Sequence, residues 1–125
     1  MRSTDEITYF IFDVAGMQRV NETGGYEFGD RVLKDIESKL QSAFTRASVK
    51  RLAGDEFSVT QLGANPAELS AKAGQLARNI RETLSIELSW GVGTAATDWD
   101  AKRAATLDLF RKRRSSRNRK REVGE

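Results

Sequence analysis

The sequence predicts an α+β fold of the ferredoxin-like kind, a central antiparallel sheet with helices packed on it. Three observations predict it. Ile7-Thr8-Tyr9-Phe10-Ile11-Phe12 is an unbroken β-rich apolar run, the pattern of a central strand covered on both faces. Segments 26–44 and 66–83 repeat apolar residues at helical spacing. Between them, two short apolar runs flank the small residues Ala53 and Gly54, which marks a hairpin. The order strand, helix, hairpin, helix, strand, helix is a split βαβ plan.

The first strand ends at Asp13. Val14 to Val20 suit a short helical turn that Thr23-Gly24-Gly25 interrupts. A helix then runs from near Tyr26 to about Phe44 through Val32, Leu33, Ile36 and Leu40. Residues 49–52 and 57–62 are the hairpin strands. Asn65 caps the next helix, with Pro66 at its first position and Glu68 three residues after the cap. That helix reaches about Thr83 through Leu69, Ala73, Leu76, Ala77 and Ile80. Ile86 to Ala95 is a strand whose Gly91 and Gly93 imply a bulge or the close approach of another backbone. Residues 98–113 are read as a final helix with Trp99, Ala101, Ala104, Ala105, Leu107, Leu109 and Phe110 as its apolar positions.

A chain of 125 residues suits one domain with one core. The sequence contains neither cysteine nor histidine. That excludes disulfides, thiolate and imidazole metal sites, and Ser-His or Cys-His catalysis. A metal must be held by oxygens, which points to Mg²⁺, Mn²⁺ or Ca²⁺. No apolar run approaches the roughly 20 residues of a membrane span, and no signal peptide is legible, so a cytoplasmic protein is expected. Residues 111–121 carry eight basic groups and no acid, whereas residues 1–110 hold 13 basic and 16 acidic groups, a balance of −3. A basic run of this kind suits an anionic partner. Residues 119–125 are expected to be a disordered tail behind a domain of residues 1–118.

The candidate site lies at the hairpin tip. Arg51-Leu52-Ala53-Gly54-Asp55-Glu56-Phe57 places two adjacent carboxylates at a turn. Alone, an Asp-Glu turn is equally a solvated loop. In the split βαβ plan, however, the first strand lies beside the hairpin and brings Asp13 to the same end. Three carboxylates at one sheet edge are expected to need a cation, and that arrangement suits phosphoryl or nucleotidyl transfer.

These residues resemble the GGDEF domain of diguanylate cyclases. The hairpin is similar to the family's Arg-Tyr-Gly-Gly-(Asp/Glu)-Glu-Phe signature, with Ala53 in place of the first glycine. Phe12-Asp13, then Asn21-Glu22-Thr23, Gly25 and Gly29-Asp30-Arg31-Val32-Leu33, resemble its Asp…Asn-Asp-Thr-x-Gly-His-x-x-Gly-Asp-x-x-Leu stretch. Ser89-Trp90-Gly91-Val92-Gly93 is similar to its Ser-Ile-Gly-Ile-Ala strand. Arg113 and Arg117-Asn118 stand where the family has Lys-x-x-x-Arg-Asn.

The resemblance implies a palm of the nucleotide cyclase type that condenses two GTP into cyclic di-GMP across a homodimer. It implies two Mg²⁺ or Mn²⁺ ions per site. Asp13, Asp55, Glu56 and the Val14 carbonyl would hold metal, and Glu56 with Asp55 would be the catalytic carboxylates. Asn21 and Asp30 would read guanine, Gly54 would let the backbone approach the nucleotide, and Arg113 and Arg117 would clamp phosphate. Gly16 and Met17 replace bulkier residues of the family, Gln18 replaces a phosphate-binding lysine, and Tyr26 replaces a histidine. The family's Arg-x-x-Asp inhibition site falls on Phe44 and Ala47 and is missing. Three rival readings remain: an inactive nucleotide-binding or interaction module, a CRISPR-polymerase-like palm making an adenine-containing cyclic nucleotide, and a nucleic-acid binder led by the basic tail. The last leaves the acidic residues unexplained, so nucleic acid is not the expected partner.

Overall fold

The structure, a computed structural model, describes residues 6–52 and 54–122, with side chains as far as residue 115. Seven elements follow one another: β1 (Ile7–Val14), α1 (Met17–Ala43), β2 (Ser48–Arg51), β3 (Glu56–Leu62), α2 (Pro66–Leu84), β4 (Leu88–Ala95) and α3 (Asp98–Glu122). The sheet order is β2-β3-β1-β4, and every neighbouring pair is antiparallel. This is the ferredoxin-like order expected of the split βαβ plan. Among the described residues, no helix is long and apolar enough to cross a membrane.

Alternation along β1 decides the layers. Phe10, Phe12 and Val14 face α1 and α2, and they pack with Ile36, Leu40, Phe44, Phe57, Val59 and Ile80. The Phe10 and Phe44 rings lie 5.7 Å apart, and Phe12 lies 6.0 Å from Phe44. Tyr9 and Ile11 point the other way and pack against Ala101, Ala105 and Leu109 of α3. The sheet is thus covered on both faces, α1 and α2 on one side and α3 on the other, which is why β1 reads as a continuous apolar run.

The helix boundaries have local causes. Asn65 Oδ1 accepts hydrogen bonds from the Ala67 and Glu68 amides at 3.0 and 3.4 Å, and Pro66 occupies the first turn. The interruption expected at 23–25 is confined to Gly25, with φ 87° and ψ 168°. On either side the helix continues, so the two expected segments become one kinked element.

Several boundaries differ from expectation. β4 begins at Leu88 rather than Ile86, although Ile86 is still buried. α3 runs to Glu122, past the expected end at 113 and into the segment expected to be disordered; residues 123–125 lie outside the described residues. Of the apolar positions read on α3, Trp99, Leu107 and Phe110 are exposed. Gly91 and Gly93 explain this. A Cβ on Gly91 would lie 2.6 Å from the Leu109 amide nitrogen, and one on Gly93 would lie 2.5 Å from that of Ala105. The glycines make no bulge. They let the helix backbone settle on the strand, where small residues fit beneath it and large ones are turned outward.

Candidate active site

The hairpin tip is joined directly to the end of β1. Leu52 N–H donates to the Glu56 carbonyl at 2.8 Å and closes the turn, and Gly54 sits within it at φ 71°. Val14 N–H donates to the Asp55 carbonyl at 3.0 Å, and Ala15 N–H donates to the Glu87 carbonyl at 2.9 Å. In the ladder Asp13 stands opposite Glu56 on one side and Ser89 on the other. Residues directly opposite in an antiparallel pair share a face, so Asp13 and Glu56 lie together on the α3 side of the sheet.

Asp55 lies elsewhere. It lines a cleft of about 500 Å³ on the α1 side, with Met17, Asn21, Asp30, Arg51 and Gly54 among the other lining residues. The expected convergence of three carboxylates is therefore not found. Among the described residues, no group of three or more acidic side chains is arranged to hold a metal ion. Glu56 is in strand register with Asp13, whereas Asp55 precedes the strand, in the turn, and lines the cleft. What the site offers a cation is a facing pair of carboxylates and nearby backbone carbonyls, all oxygen donors. That chemistry fits a hard divalent ion.

The cleft is shaped by α1. Gly16 precedes the helix at φ 83°, which turns the chain sharply after β1. Met17 is buried at the cleft floor, and Asn21 is half-buried one turn further on. Gly29 packs beneath Asn21, where any Cβ would collide with the carboxamide. Asp30 follows at once. Its Oδ1 accepts from Arg51 Nη1 at 3.3 Å, and its Oδ2 lies 3.2 Å from Lys34 Nζ. Hydrogen bonding from Lys34, then from Arg51, holds the Asp30 carboxyl below the usual carboxylate range.

On the opposite side α3 supplies cations. Arg113 is ion-paired with Asp13. It also lines a broad open depression of about 810 Å³ whose other lining residues include Ser89, Trp90, Lys112 and Arg114. Lys112 Nζ lies 3.4 Å from the centre of the Trp90 ring and 3.4 Å from the Trp90 carbonyl. Asp108, buried beside β4, accepts from Val92 N–H at 2.9 Å and pairs with Arg111 and Lys112. Burial pushes its carboxyl up, but the Val92 amide and the two cations together outweigh that and hold it below the usual range.

The sequence-derived residues thus fall into two groups: Asn21, Asp30, Gly54 and Asp55 around the cleft, and Asp13, Glu56 and Arg113 on the α3 side, with Val14 joining them through its backbone. Arg117 is one helical turn beyond Arg113, and its side chain lies outside the described residues. Sequence reasoning missed Lys34, Arg51 and Asp108. Lys34 was legible as the i+4 partner of Asp30. Asp108 was legible as an acid within the stripe of Ala101, Ala105 and Leu109. Arg51 becomes a partner of Asp30 only once the hairpin is laid beside the helix.

Comparison with known proteins accords with this geometry. Residues 1–108 match the family model "Diguanylate cyclase, GGDEF domain". A relative in Escherichia coli K12 named "Probable diguanylate cyclase DgcF" is 26% identical over 95% of this chain and 43% of its own length. The chain spans less than half the length of the curated relatives it matches. Among solved structures, the active GGEEF domain of a diguanylate cyclase from Vibrio cholerae superposes with a TM-score of 0.77 at 20% identity, covering 88% of this chain and 78% of that one. The GGDEF domain of DgcB from Caulobacter crescentus, in complex with c-di-GMP, gives 0.73 at 17% identity, covering 88% and 73%.

Proposed function

The chain belongs to the GGDEF domain family of diguanylate cyclases, and from that membership we propose that it condenses two GTP into cyclic di-GMP with release of pyrophosphate. The observation that carries the proposal is the cleft and carboxylate pair meeting at one hairpin tip: Asp13 opposite Glu56 on one side, and Asn21, Asp30 and Asp55 on the other. A base in the cleft and a triphosphate over the end of β1 would lie across that tip.

In this reading Asn21 and Asp30 hold guanine, because an amide and a carboxylate complement its donors and acceptors. Gly54, with no side chain, leaves the backbone open to the nucleotide. Arg113 and Arg117 hold the phosphates, where a guanidinium offers paired donors. Glu56 takes the proton from the ribose 3′-hydroxyl as that oxygen attacks the α-phosphorus of the facing GTP, and pyrophosphate leaves in line. Asp13, Glu56 and the Val14 carbonyl would hold Mg²⁺ or Mn²⁺, two ions per site, and Asp55 would have to turn in from the cleft to join them. The metal would neutralise the triphosphate and acidify the attacking hydroxyl. Arg113 must leave Asp13 for phosphate as the nucleotide enters, so the ion pair acts as a placeholder. Each product molecule needs two chains face to face, so a homodimer forms at least during turnover.

A second reading has one observation in its favour. Asp13 is engaged by Arg113 and no cluster of three carboxylates is present among the described residues, which suits a module that binds GTP without turning it over. One experiment separates the two. The protein is incubated with each of the four nucleoside triphosphates and Mg²⁺ or Mn²⁺, and products are identified by mass. Cyclic di-GMP is the expected product, and Glu56→Gln should abolish it with an unchanged melting temperature. Tight GTP binding without product leaves the binding module, an adenine product supports the alternative palm, and activity surviving in Glu56→Gln removes the catalytic assignment.

A further inference from the structure

We infer that Arg51 and Lys34 are positioning residues that set base selectivity by fixing the orientation of the Asp30 carboxylate. The inference rests on the nucleotide reading above and assigns a task to two side chains that reading leaves without one.

The geometry is a cradle with one cation on each oxygen. Arg51 Nη1 lies 3.3 Å from Oδ1 and Lys34 Nζ lies 3.2 Å from Oδ2. The two cations come from different elements, Arg51 from the last position of β2 and Lys34 from the next turn of α1. A carboxylate on an exposed helix surface rotates freely, because its terminal torsion has broad wells. Asp30 is such a group, with nearly half its side chain exposed. Two cations on opposite oxygens remove that freedom. Each oxygen keeps a second lone pair, so the group can still accept two parallel hydrogen bonds.

Two parallel acceptors select for two adjacent donors. The guanine edge offers them in N1–H and the N2 amino group. Hypoxanthine keeps N1–H and lacks the amino group. Adenine places a ring acceptor where N1–H would be, and a carboxylate repels it. Discrimination between guanine and hypoxanthine therefore measures how well the second oxygen is aimed. The cradle also keeps Asp30 ionised, since the hydrogen bonds from Lys34 and Arg51 favour its charged form. As a merely structural ion pair the cluster would add little, because exposed salt bridges contribute weakly to stability.

The test uses the whole chain with Mg²⁺ and the α,β-methylene triphosphates of guanosine, inosine and adenosine, which bind without reacting. Affinities are measured by calorimetry for the wild type, Arg51→Gln, Lys34→Gln and Arg51→Lys, with thermal unfolding in parallel. The wild type should prefer guanine to hypoxanthine by about tenfold or more, the worth of one hydrogen bond to a charged acceptor. Arg51→Gln and Lys34→Gln should each reduce that ratio by about threefold, through weaker guanine binding alone. Arg51→Lys should recover part of it, and melting temperatures should barely move. An unchanged ratio in both glutamine variants overturns the inference and leaves the nucleotide reading intact. A wild type that binds none of the three ligands overturns both.

Discussion

Toward α1 and α2 the sheet presents Phe10, Phe12 and Phe57; toward α3 its edge strand presents Gly91 and Gly93. The first face is filled by large side chains held at a distance, and the second by a helix lying almost on the strand backbone. The difference follows the two tasks. The aromatic face anchors α1, whose outer surface forms the cleft. The glycine face fixes the height of α3, and that height brings Arg113 within reach of Asp13. One face tolerates small adjustments in volume, whereas the other tolerates almost none in backbone position.

The comparison breaks first where the large rings are removed. Phe12 is fully buried between α1 and the sheet. Phe12→Ala should lower stability by about 3–5 kcal/mol, read by urea denaturation. A loss under about 1 kcal/mol would mean that this face is not the main core. Next comes the opposite kind of damage. Gly91→Ala adds one methyl against the Ala105 carbonyl and the Leu109 amide, and should cost about 1–3 kcal/mol by overpacking. Unlike Phe12→Ala, it should weaken triphosphate binding at temperatures where the chain is still folded, since α3 must lift away. A neutral Gly91→Ala would show that α3 does not rest on β4.

The smallest effect sharpens the comparison by pH. Asp108 ties α3 to the Val92 amide, and its folded carboxyl titrates below the usual value. A depressed folded pKa means its contribution is present above the ordinary carboxylate range and is lost as pH falls through the folded value. Asp108→Asn should therefore cost about 1–2 kcal/mol at neutral pH and remove part of the acid-side loss of stability. If the wild type and the variant lose stability in parallel on acidification, the Asp108 contact is not made in solution.

Much of the fold was legible because local chemistry specified it. Asn65 and Pro66 announce the start of α2, and the apolar run Ile7 to Phe12 announces a strand covered twice. The end of α3 was not legible. Its basic run carries no apolar periodicity, so no stripe marked where the helix should stop. Trp99, Leu107 and Phe110 misled for a related reason: apolar type alone does not reveal which face a helix turns inward when its partner surface is glycine.

The candidate site divides along the same line. Sequence alone determined the inventory: carboxylates at 13, 30, 55 and 56, no histidine or cysteine, and a family signature collinear across the chain. It also determined that any metal must sit among oxygens. Only the tertiary structure decided which carboxylates face each other, because the strand register sets Asp13 against Glu56 while the turn leaves Asp55 lining the cleft. Likewise only the fold brings Arg51 to Asp30 and Arg113 to Asp13, across separations of 21 and 100 residues. Residue types are carried by the chain itself, but the partner of a charge is chosen by distances that exist only after the sheet has paired.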